Sequence, residues 1–257
     1  MTEGSARSRR IGGSGDPPRA SPEPGSILSP REDPPVPPDA ATTVFADRLD
    51  LARRYAAHLA DTGISHGLVG PREVPRLWDR HILNCAVIGE IIPKGLSVID
   101  VGSGAGLPGI CLAIARPDLS IALVEPMERR TSWLAAVCAD LGLDNVTVER
   151  ARAEELHGRL SAEVVTARAV AALDKLTRWC LPLVSSGGRL VAMKGSSAER
   201  EIAAAARTVR RLGGLTPSVH VCGVDLLDPP TTVVVIDKAQ RRDAGPRSPR
   251  GAHRSRN

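Results

Sequence analysis

The sequence has few aromatic residues and almost no lysine. Of its 257 residues only five carry an aromatic ring, and only four of the 34 basic residues are lysine. A platform of aromatic rings on which successive nucleic-acid bases stack is therefore excluded. With so little aromatic volume, the core must be built from Ala, Val, Leu and Ile. The aromatic residues are Phe45, Tyr55, Trp78, Trp133 and Trp179.

Paired cysteines and long apolar runs are also absent from the sequence. The five cysteines are odd in number and widely spaced, and no two of them form a CxxC pair. This spacing excludes a disulfide framework and a zinc knuckle, so we expect free thiols and no bound metal. No apolar run approaches the ~18 to 20 residues that cross a bilayer, and the N-terminus lacks the apolar stretch of a signal peptide. We therefore expect a cytoplasmic, monomeric protein with no membrane partner.

The positive charge of the chain is concentrated at one end. The formal net charge is +5, but residues 239–257 alone carry six Arg and one Asp, while residues 1–40 carry five Arg and six acids. A uniformly basic nucleic-acid-binding domain is therefore excluded. Any polyanionic partner must be met by local arginine clusters or by the C-terminal segment.

Composition divides the chain into three parts. Nine of the 21 prolines fall in residues 1–40, among Gly, Ser and Arg. Such a segment cannot bury enough apolar surface to offset its ordering entropy, which predicts a disordered arm over 1–40 and, for the same reason, a disordered Arg-rich tail over 239–257. Residues 41–238 are one domain of ordinary size, with N-terminal helices over 41–95 and an α/β core over 96–238.

Hydrophobic periodicity predicts an α/β fold for this domain. Two helices come first, one ended by Gly63 and one running from Pro71 to Pro93; short β-branched runs then alternate with helical stretches. That alternation predicts a mostly parallel sheet of seven strands with a C-terminal antiparallel hairpin, and a ligand at the carboxyl ends of the strands. The predicted strands are 97–101, 121–125, 146–149, 164–167, 190–194, 220–224 and 231–237, and the core helices are 107–116, 127–141, 172–184 and 197–212.

The sharpest motif is VIDVGSGAGLPG at residues 98–109, in which a strand runs through a glycine-rich loop into a helix. Gly104, Gly106 and Gly109 match GxGxxG, so a nicotinamide-binding Rossmann domain is one alternative. A carboxylate at Asp100 would repel a pyrophosphate. S-adenosylmethionine instead carries an ammonium and a sulfonium, and a carboxylate attracts both of these cationic groups. Glu125 ends the second strand, where an acid can accept hydrogen bonds from a ribose. These residues favour adenosylmethionine.

Several further motifs resemble the ribosomal RNA small subunit methyltransferase G family, also called glucose-inhibited division protein B, in an actinobacterial form. They are RHILN at 80–84, the DVGSGAGLPG of 100–109, RAEE at 152–155, ARAVAAL at 167–173, MKG at 193–195 and the CGVDLLDPPTTVVV ending. The resemblance covers residues 45–237. Two segments depart from the usual family pattern: HGLVG replaces an NLT segment and HILNC replaces HILDS.

The resemblance implies a Rossmann-like class I methyltransferase that transfers a methyl group from S-adenosylmethionine to N7 of one guanine in 16S rRNA, with the small ribosomal subunit as partner. The cofactor contacts it implies are Gly102, Leu107, Ala153, Glu154 and Arg168. The sequence adds Asp100, Gly104 and Glu125 to this set. Arg168 is also the candidate catalytic residue, and Arg80, Asn84 and Lys194 are candidate RNA contacts.

The chemistry agrees with the residues at hand. N7 of guanine keeps an available lone pair, so in-line attack on a sulfonium methyl needs orientation but no general base. Cys180 precedes Leu-Pro in a predicted helix and suits the core better than a nucleophilic role. The DPP of 228–230 is better explained as a hairpin turn than as an amino-methylating motif, and His81 as a packed histidine. A dehydrogenase, a non-catalytic ribosome-assembly factor and a methyltransferase acting on another nucleophile stay open as alternatives.

Overall fold

The computed structural model describes residues 1, 35–168 and 170–240. Within these residues the chain forms a seven-stranded sheet. The strands are β1 Ser97–Val101, β2 Ser120–Val124, β3 Val146–Glu149, β4 Ala162–Arg168, β5 Val184–Met193, β6 Ser218–Cys222 and β7 Thr231–Asp237. They lie in the order β3-β2-β1-β4-β5-β7-β6; β1 to β5 pair in parallel, and β7 lies antiparallel between β5 and β6.

This sheet confirms the predicted fold class. Every predicted strand is present, and the expected C-terminal hairpin is formed by β6 and β7. Because β7 inserts beside β5, β6 is the edge strand on that side of the sheet. Only β7 is antiparallel to the other strands. The carboxyl ends of β1 to β5 therefore meet along one edge of the sheet, where parallel α/β sheets bind their ligands.

The helices of the core lie close to their predicted positions, with one correction. The helix expected over 172–184 ends at Cys180, and a 3-10 turn over Leu181–Leu183 follows before β5 begins. Pro182 explains the early end, because proline cannot donate the backbone hydrogen bond that would continue the helix. The four core helices are α5 Gly109–Ala115, α6 Glu128–Leu141, α7 Leu173–Cys180 and α8 Ala198–Arg211.

The N-terminal helices are less regular than predicted. The second predicted helix, from Pro71 to Pro93, is a composite of four helical turns of different pitch, which includes a π-helix. Pro75 lies inside it and removes one backbone donor. The first part consists of α1 Asp39–Phe45, α2 Leu49–Ala60 and α3 Thr62–Ser65; the composite segment consists of 3-10 Pro71–Arg76, π Leu77–Ile82, α4 Leu83–Ala86 and 3-10 Val87–Ile91.

The boundary predicted after residue 40 lies a few residues too late. Helix α1 already begins at Asp39, and the indole N–H of Trp78 donates a 2.7 Å hydrogen bond to the carbonyl of Pro35. At the other end, the N–H of Ala239 donates to the carbonyl of Gly213. The remainder of the predicted arm, over 2–34, and of the predicted tail, over 241–257, lies outside the described residues.

Two apolar clusters cover the two faces of the sheet. The N-terminal helices, α5 and α6 supply side chains to one cluster, and α7 and α8 supply the other. In the first cluster the fully buried Tyr55 donates a 2.7 Å hydrogen bond from its hydroxyl to the carbonyl of Ala105, in the glycine loop. The N-terminal helices are therefore bound directly to the loop that follows β1.

We expect Tyr55→Phe to lower the free energy of unfolding by ~1–3 kcal/mol, because the buried carbonyl of Ala105 would lose its donor. Urea denaturation measures this change. An unaltered slope of the unfolding free energy against urea concentration would show that the native fold is kept. Wild-type stability of the variant would mean that the hydroxyl contributes nothing to anchoring the loop.

Candidate active site

The glycine loop between β1 and α5 is held in a conformation that suits glycine. Gly102 has a φ of 71°, in the left-handed region that other residues rarely adopt. At Gly109 the backbone passes so close to β1 that an added Cβ would contact the side chain of Leu123 and lie 2.8 Å from Oδ2 of Asp100. Gly109 is thus required for packing the helix onto the sheet, whereas Gly102 lines a cavity in which an added Cβ would lie 3.1 Å from the side chain of Val170.

Asp100 lies beneath the glycine loop. Its side chain is fully buried, and Oδ2 accepts a 3.0 Å hydrogen bond from the N–H of Gly109, while Oδ1 has no hydrogen-bond partner. Burial raises the pKa of this carboxyl to about 7, although the Gly109 N–H opposes the shift. The expected acid is therefore beside the loop, but it does not line either of the cavities described below.

Glu125 follows β2 directly and supports the same loop. Its carboxylate is 2% exposed; Oε2 accepts a 3.1 Å hydrogen bond from the N–H of Gly104, and Oε1 accepts one of equal length from Met127. The guanidinium of Arg130 lies 3.7 Å away. These contacts fix the carboxylate at the carboxyl end of β2, where the sequence predicts it.

A cavity of about 120 Å³, here called the loop cavity, opens above the ends of β1 and β2. It brings together three predicted cofactor contacts, Gly102, Ala153 and Glu154, but neither Leu107 nor Arg168 lines it. Its apolar walls were not predicted from the sequence. The lining residues are Val101, Gly102, Val124, Pro126, Ala151, Arg152, Ala153, Glu154, Val170 and Trp179.

A larger cavity of about 650 Å³, here called the strand-end cavity, lies above the ends of β4 and β5. It brings together all three predicted RNA contacts and the candidate catalytic residue. The predicted hairpin turn at 228–230 does connect β6 to β7, yet two of its prolines also line this cavity, a role that the sequence analysis missed. The lining residues are Arg80, Asn84, Arg168, Met193, Lys194, Gly195, Ser196, Pro229, Pro230, Thr231 and Thr232.

Arg168 ends β4 and joins it to the N-terminal composite segment. Its Nη1 donates to Sγ of Cys85 at 3.0 Å, and its Nη2 donates to Nδ1 of His81 at 2.7 Å and to the carbonyl of Arg80 at 3.2 Å. Burial lowers the pKa of Arg168, but the neighbouring Cys85 outweighs this, so the group stays charged. His81, expected to be a packed histidine, lies behind Arg168 and does not itself line the strand-end cavity.

Lys194 is held in an ion pair. Its Nζ lies 2.8 Å from Oε2 of Glu201 and donates a 2.6 Å hydrogen bond to the carbonyl of Ala171. Burial would raise the pKa of Glu201, but the bonds from Lys194 and its neighbours lower it to about 2. These contacts join the end of β5 to α8, and the role of Lys194 as an RNA contact stays a prediction.

Three further features of the described residues concern metal ligands, the cysteine at the end of α7 and the length of the helices. In residues 35–168 and 170–240 no three His, Cys, Asp or Glu side chains are grouped so that they could hold a metal ion. Burial raises the pKa of the Cys180 thiol, as expected of a core cysteine rather than a nucleophile. No helix among these residues is long and apolar enough to cross a membrane.

Comparison with known proteins gives consistent relatives. The model of the family described as rRNA small subunit methyltransferase G matches residues 48–229. Ribosomal RNA small subunit methyltransferase G of Pseudarthrobacter chlorophenolicus is 58% identical over 79% of this chain and 95% of its own length. That of Salinispora tropica is 55% identical over 87% of this chain and 94% of its own length. Among solved structures, an O-methyltransferase of Thermotoga maritima is 16% identical, with a TM-score of 0.47 over 63% of this chain and 66% of that one.

The strand order, the glycine loop after β1 and the acid after β2 define a class I S-adenosylmethionine-dependent methyltransferase. Within that class, the chain belongs to the rRNA small subunit methyltransferase G family. This membership removes the dehydrogenase alternative, since the glycine loop that resembles GxGxxG belongs to a methyltransferase.

We expect Asp100→Asn to flatten the pH dependence of stability. Because burial raises the folded-state pKa to about 7, the carboxyl contributes stability that is fully present below its ordinary pKa and is lost as the pH rises through about 7. Between about pH 4 and about pH 8 the wild type should lose more unfolding free energy than the variant, by on the order of a few kcal/mol. Urea denaturation of both proteins across this range measures the difference; identical pH slopes would contradict the assignment.

Proposed function

We propose that this chain transfers the methyl group of S-adenosylmethionine to N7 of a guanine in 16S rRNA, acting on the small ribosomal subunit in the cytoplasm. The observation that carries the proposal is the pair of cavities at one edge of the sheet. The loop cavity and the strand-end cavity are lined by residues only two positions apart in the chain, Val170 and Arg168. A donor bound in one cavity is thus next to an acceptor bound in the other.

The loop cavity fits the chemistry of adenosylmethionine. The side chains of Val101, Val124, Val170 and Trp179 give it apolar walls that suit a purine ring. Glu125 does not itself line the loop cavity, but it lies between the lining residues Val124 and Pro126, and we assign the ribose hydroxyls of the cofactor to its carboxylate. When bound there, the cofactor supplies an electrophilic methyl group on a sulfonium.

Both acids of the loop also suit a cationic ligand. Asp100 lies buried beneath the loop and accepts from the N–H of Gly109 at the start of α5, and Glu125 accepts from the N–H of Gly104 within the loop. The positive charge of an ammonium or sulfonium nearby would favour the ionised form of Asp100. The negative charge of a pyrophosphate in the same place would be repelled by these two carboxylates.

The strand-end cavity suits a nucleotide base. Its volume of about 650 Å³ is in the range of small-ligand sites, and Arg80 and Arg168 give it two guanidinium groups. A guanidinium can donate two hydrogen bonds to the O6 and N7 edge of guanine or to a phosphate. The Arg80 side chain is 54% exposed and therefore accessible to RNA.

The chain's residues contribute orientation to this reaction. The lone pair of N7 would bond to the methyl carbon as the bond from that carbon to sulfur breaks and a neutral thioether leaves, so no side chain has to remove a proton beforehand. The proposed role of Arg168 is to hold the electron-rich edge or phosphate of the substrate in line with the methyl group. The absence of a general base among the described residues that line the strand-end cavity agrees with this chemistry.

The decisive experiment is transfer of a labelled methyl group from adenosylmethionine to small ribosomal subunits that lack the modification, followed by mapping of the modified base. We expect one labelled guanine in 16S rRNA, modified at N7. Label at another atom or in another RNA would overturn the proposed substrate, and binding of subunits without transfer would indicate an assembly factor.

We expect Glu125→Ala to weaken adenosylmethionine binding by ~10-fold or more, because the variant loses both a ribose acceptor and the support of Gly104. Calorimetric titration measures the affinity. Glu149→Ala is the matched control, since Glu149 is the exposed acid that ends the neighbouring strand β3. Equal affinities of the two variants would remove Glu125 from the cofactor site.

We expect Arg168→Ala to reduce methyl transfer by ~10 to 1,000-fold, comparable with the loss of one positioned electrostatic contact. Arg168→Lys should recover only part of the rate, because an ammonium cannot reproduce the bidentate fork. Single-turnover methylation of small subunits gives the rates, with melting curves measured alongside. Full activity in Arg168→Ala, or unfolding that accounts for its loss, would show that this arginine is structural.

A further inference from the structure

A chain of hydrogen bonds reaches the guanidinium of Arg168 on the side away from the strand-end cavity, through two residues that do not line that cavity. Glu73 contacts His81, and His81 contacts Arg168, so the three side chains form one line from the protein surface to the cavity. We propose that His81 and Glu73 are positioning residues that hold Arg168 in its working orientation. This inference rests on the proposed function of Arg168 in the methyl transfer.

The contacts determine which nitrogen of His81 carries the proton. Arginine has donors but no acceptor, so Nδ1 of His81, 2.7 Å from Nη2 of Arg168, must be the unprotonated nitrogen. In the neutral ring the proton is then on Nε2, which lies 2.8 Å from Oε2 of Glu73 and donates to it. Glu73 thereby selects the tautomer that accepts a hydrogen bond from Arg168.

The composite helical segment explains how the three groups meet. Glu73 lies in the 3-10 turn Pro71–Arg76, and His81 lies in the π-helix Leu77–Ile82 that follows it. The same π-helix presents the carbonyl of Arg80 to Nη2 of Arg168 at 3.2 Å. Single π-helical turns in proteins are frequently found at functional sites. Here the turn supplies two acceptors to one guanidinium.

The charge state of His81 decides whether this arrangement persists. Burial and the positive charge of Arg168 lower the pKa of His81, while Glu73 acts in the opposite direction and Arg80 adds a further small lowering. Protonation would place an N–H on Nδ1, opposite the N–H of Arg168, and two cations would face each other. Neutral His81 therefore holds Arg168, and charged His81 releases it.

The other side of Arg168 is held by a cysteine. Its Nη1 donates to Sγ of Cys85, which is fully buried. Burial raises the pKa of the Cys85 thiol, but the hydrogen bond with Cys111 and the positive charge of Arg168 lower it below its ordinary value. The charged and titratable groups that face His81 are thus Glu73, Arg80 and Arg168, with Cys85 beyond the guanidinium. Among these, His81 is the group with an ordinary pKa near neutrality.

The test compares His81→Leu with His81→Asn in single-turnover methylation of small subunits. His81→Leu removes the acceptor, and we expect the maximal rate to fall by ~10 to 100-fold, the usual cost of losing a supporting partner of a site residue. The KM for adenosylmethionine should stay unchanged, because His81 does not line the loop cavity. His81→Asn keeps an oxygen acceptor near the position of Nδ1 and should recover most of the rate. His220→Leu, at an exposed position of β6, is the matched control.

The pH profile separates positioning from a merely structural role. We expect the wild-type rate to fall on the acid side with an apparent pKa below the ordinary histidine value, and we expect this fall to be absent in His81→Asn. Glu73→Gln should move the fall to still lower pH, since it removes the carboxylate that favours charged His81. If the rate of His81→Asn falls at acid pH as the wild-type rate does, or if His81→Leu has the wild-type rate, the proposal is overturned.

A measurement without catalysis keeps the two proposals apart. In protein labelled with nitrogen-15, the NMR signals of the imidazole nitrogens should show His81 as the neutral Nε2–H tautomer near neutral pH. An Nδ1–H tautomer or a charged ring would overturn the positioning role even in a fully active enzyme. If the wild type transfers no methyl to rRNA, the proposed function fails, while this spectrum still decides whether His81 accepts from Arg168.

Discussion

The three-way contact of Arg168 is the constraint on which the shape of the site depends. One guanidinium, attached to the end of β4, binds a thiol, an imidazole and a backbone carbonyl of the composite segment. Arg168 is half-buried, and loss of these three acceptors would leave its guanidinium poorly compensated, so the contacts favour this relative position of the N-terminal helices and the sheet. The strand-end cavity exists because the two parts are held there, with the guanidinium between them.

The features that follow from local sequence patterns could be predicted. Short β-branched runs alternating with helical stretches gave the strand positions, and the order of glycines after Asp100 indicated the loop. Gly102, Ala153 and Glu154 follow β1 and β3, and strand ends of a parallel sheet meet at one edge. Their convergence on one cavity is therefore a consequence of topology alone. The choice of guanine N7 came only from the family resemblance.

The features that depend on distant partners could not be predicted. The composite segment has an apolar stripe like that of one regular helix, so its sequence does not reveal the π-helix. The residue that this π-helix contacts, Arg168, lies more than 80 positions away in the chain. Lys194 resembles a phosphate ligand in sequence, because nothing near it announces Glu201 and the carbonyl of Ala171 as partners. Trp179 lines the loop cavity from a helix of another layer, and no motif surrounds it. Side-chain pairing across elements is the information that a single sequence lacks.

The chain segment after β4 has a thermodynamic consequence. Arg168 belongs to the wall of one cavity and Val170 to the wall of the other, where it lies close above Gly102. A ligand in one cavity that displaced either of these two residues would change the lining of the other cavity. Linkage requires any such effect to be mutual, so that each ligand would change the affinity of the other by the same factor. The order in which the ligands arrive cannot alter the total free energy of the filled site.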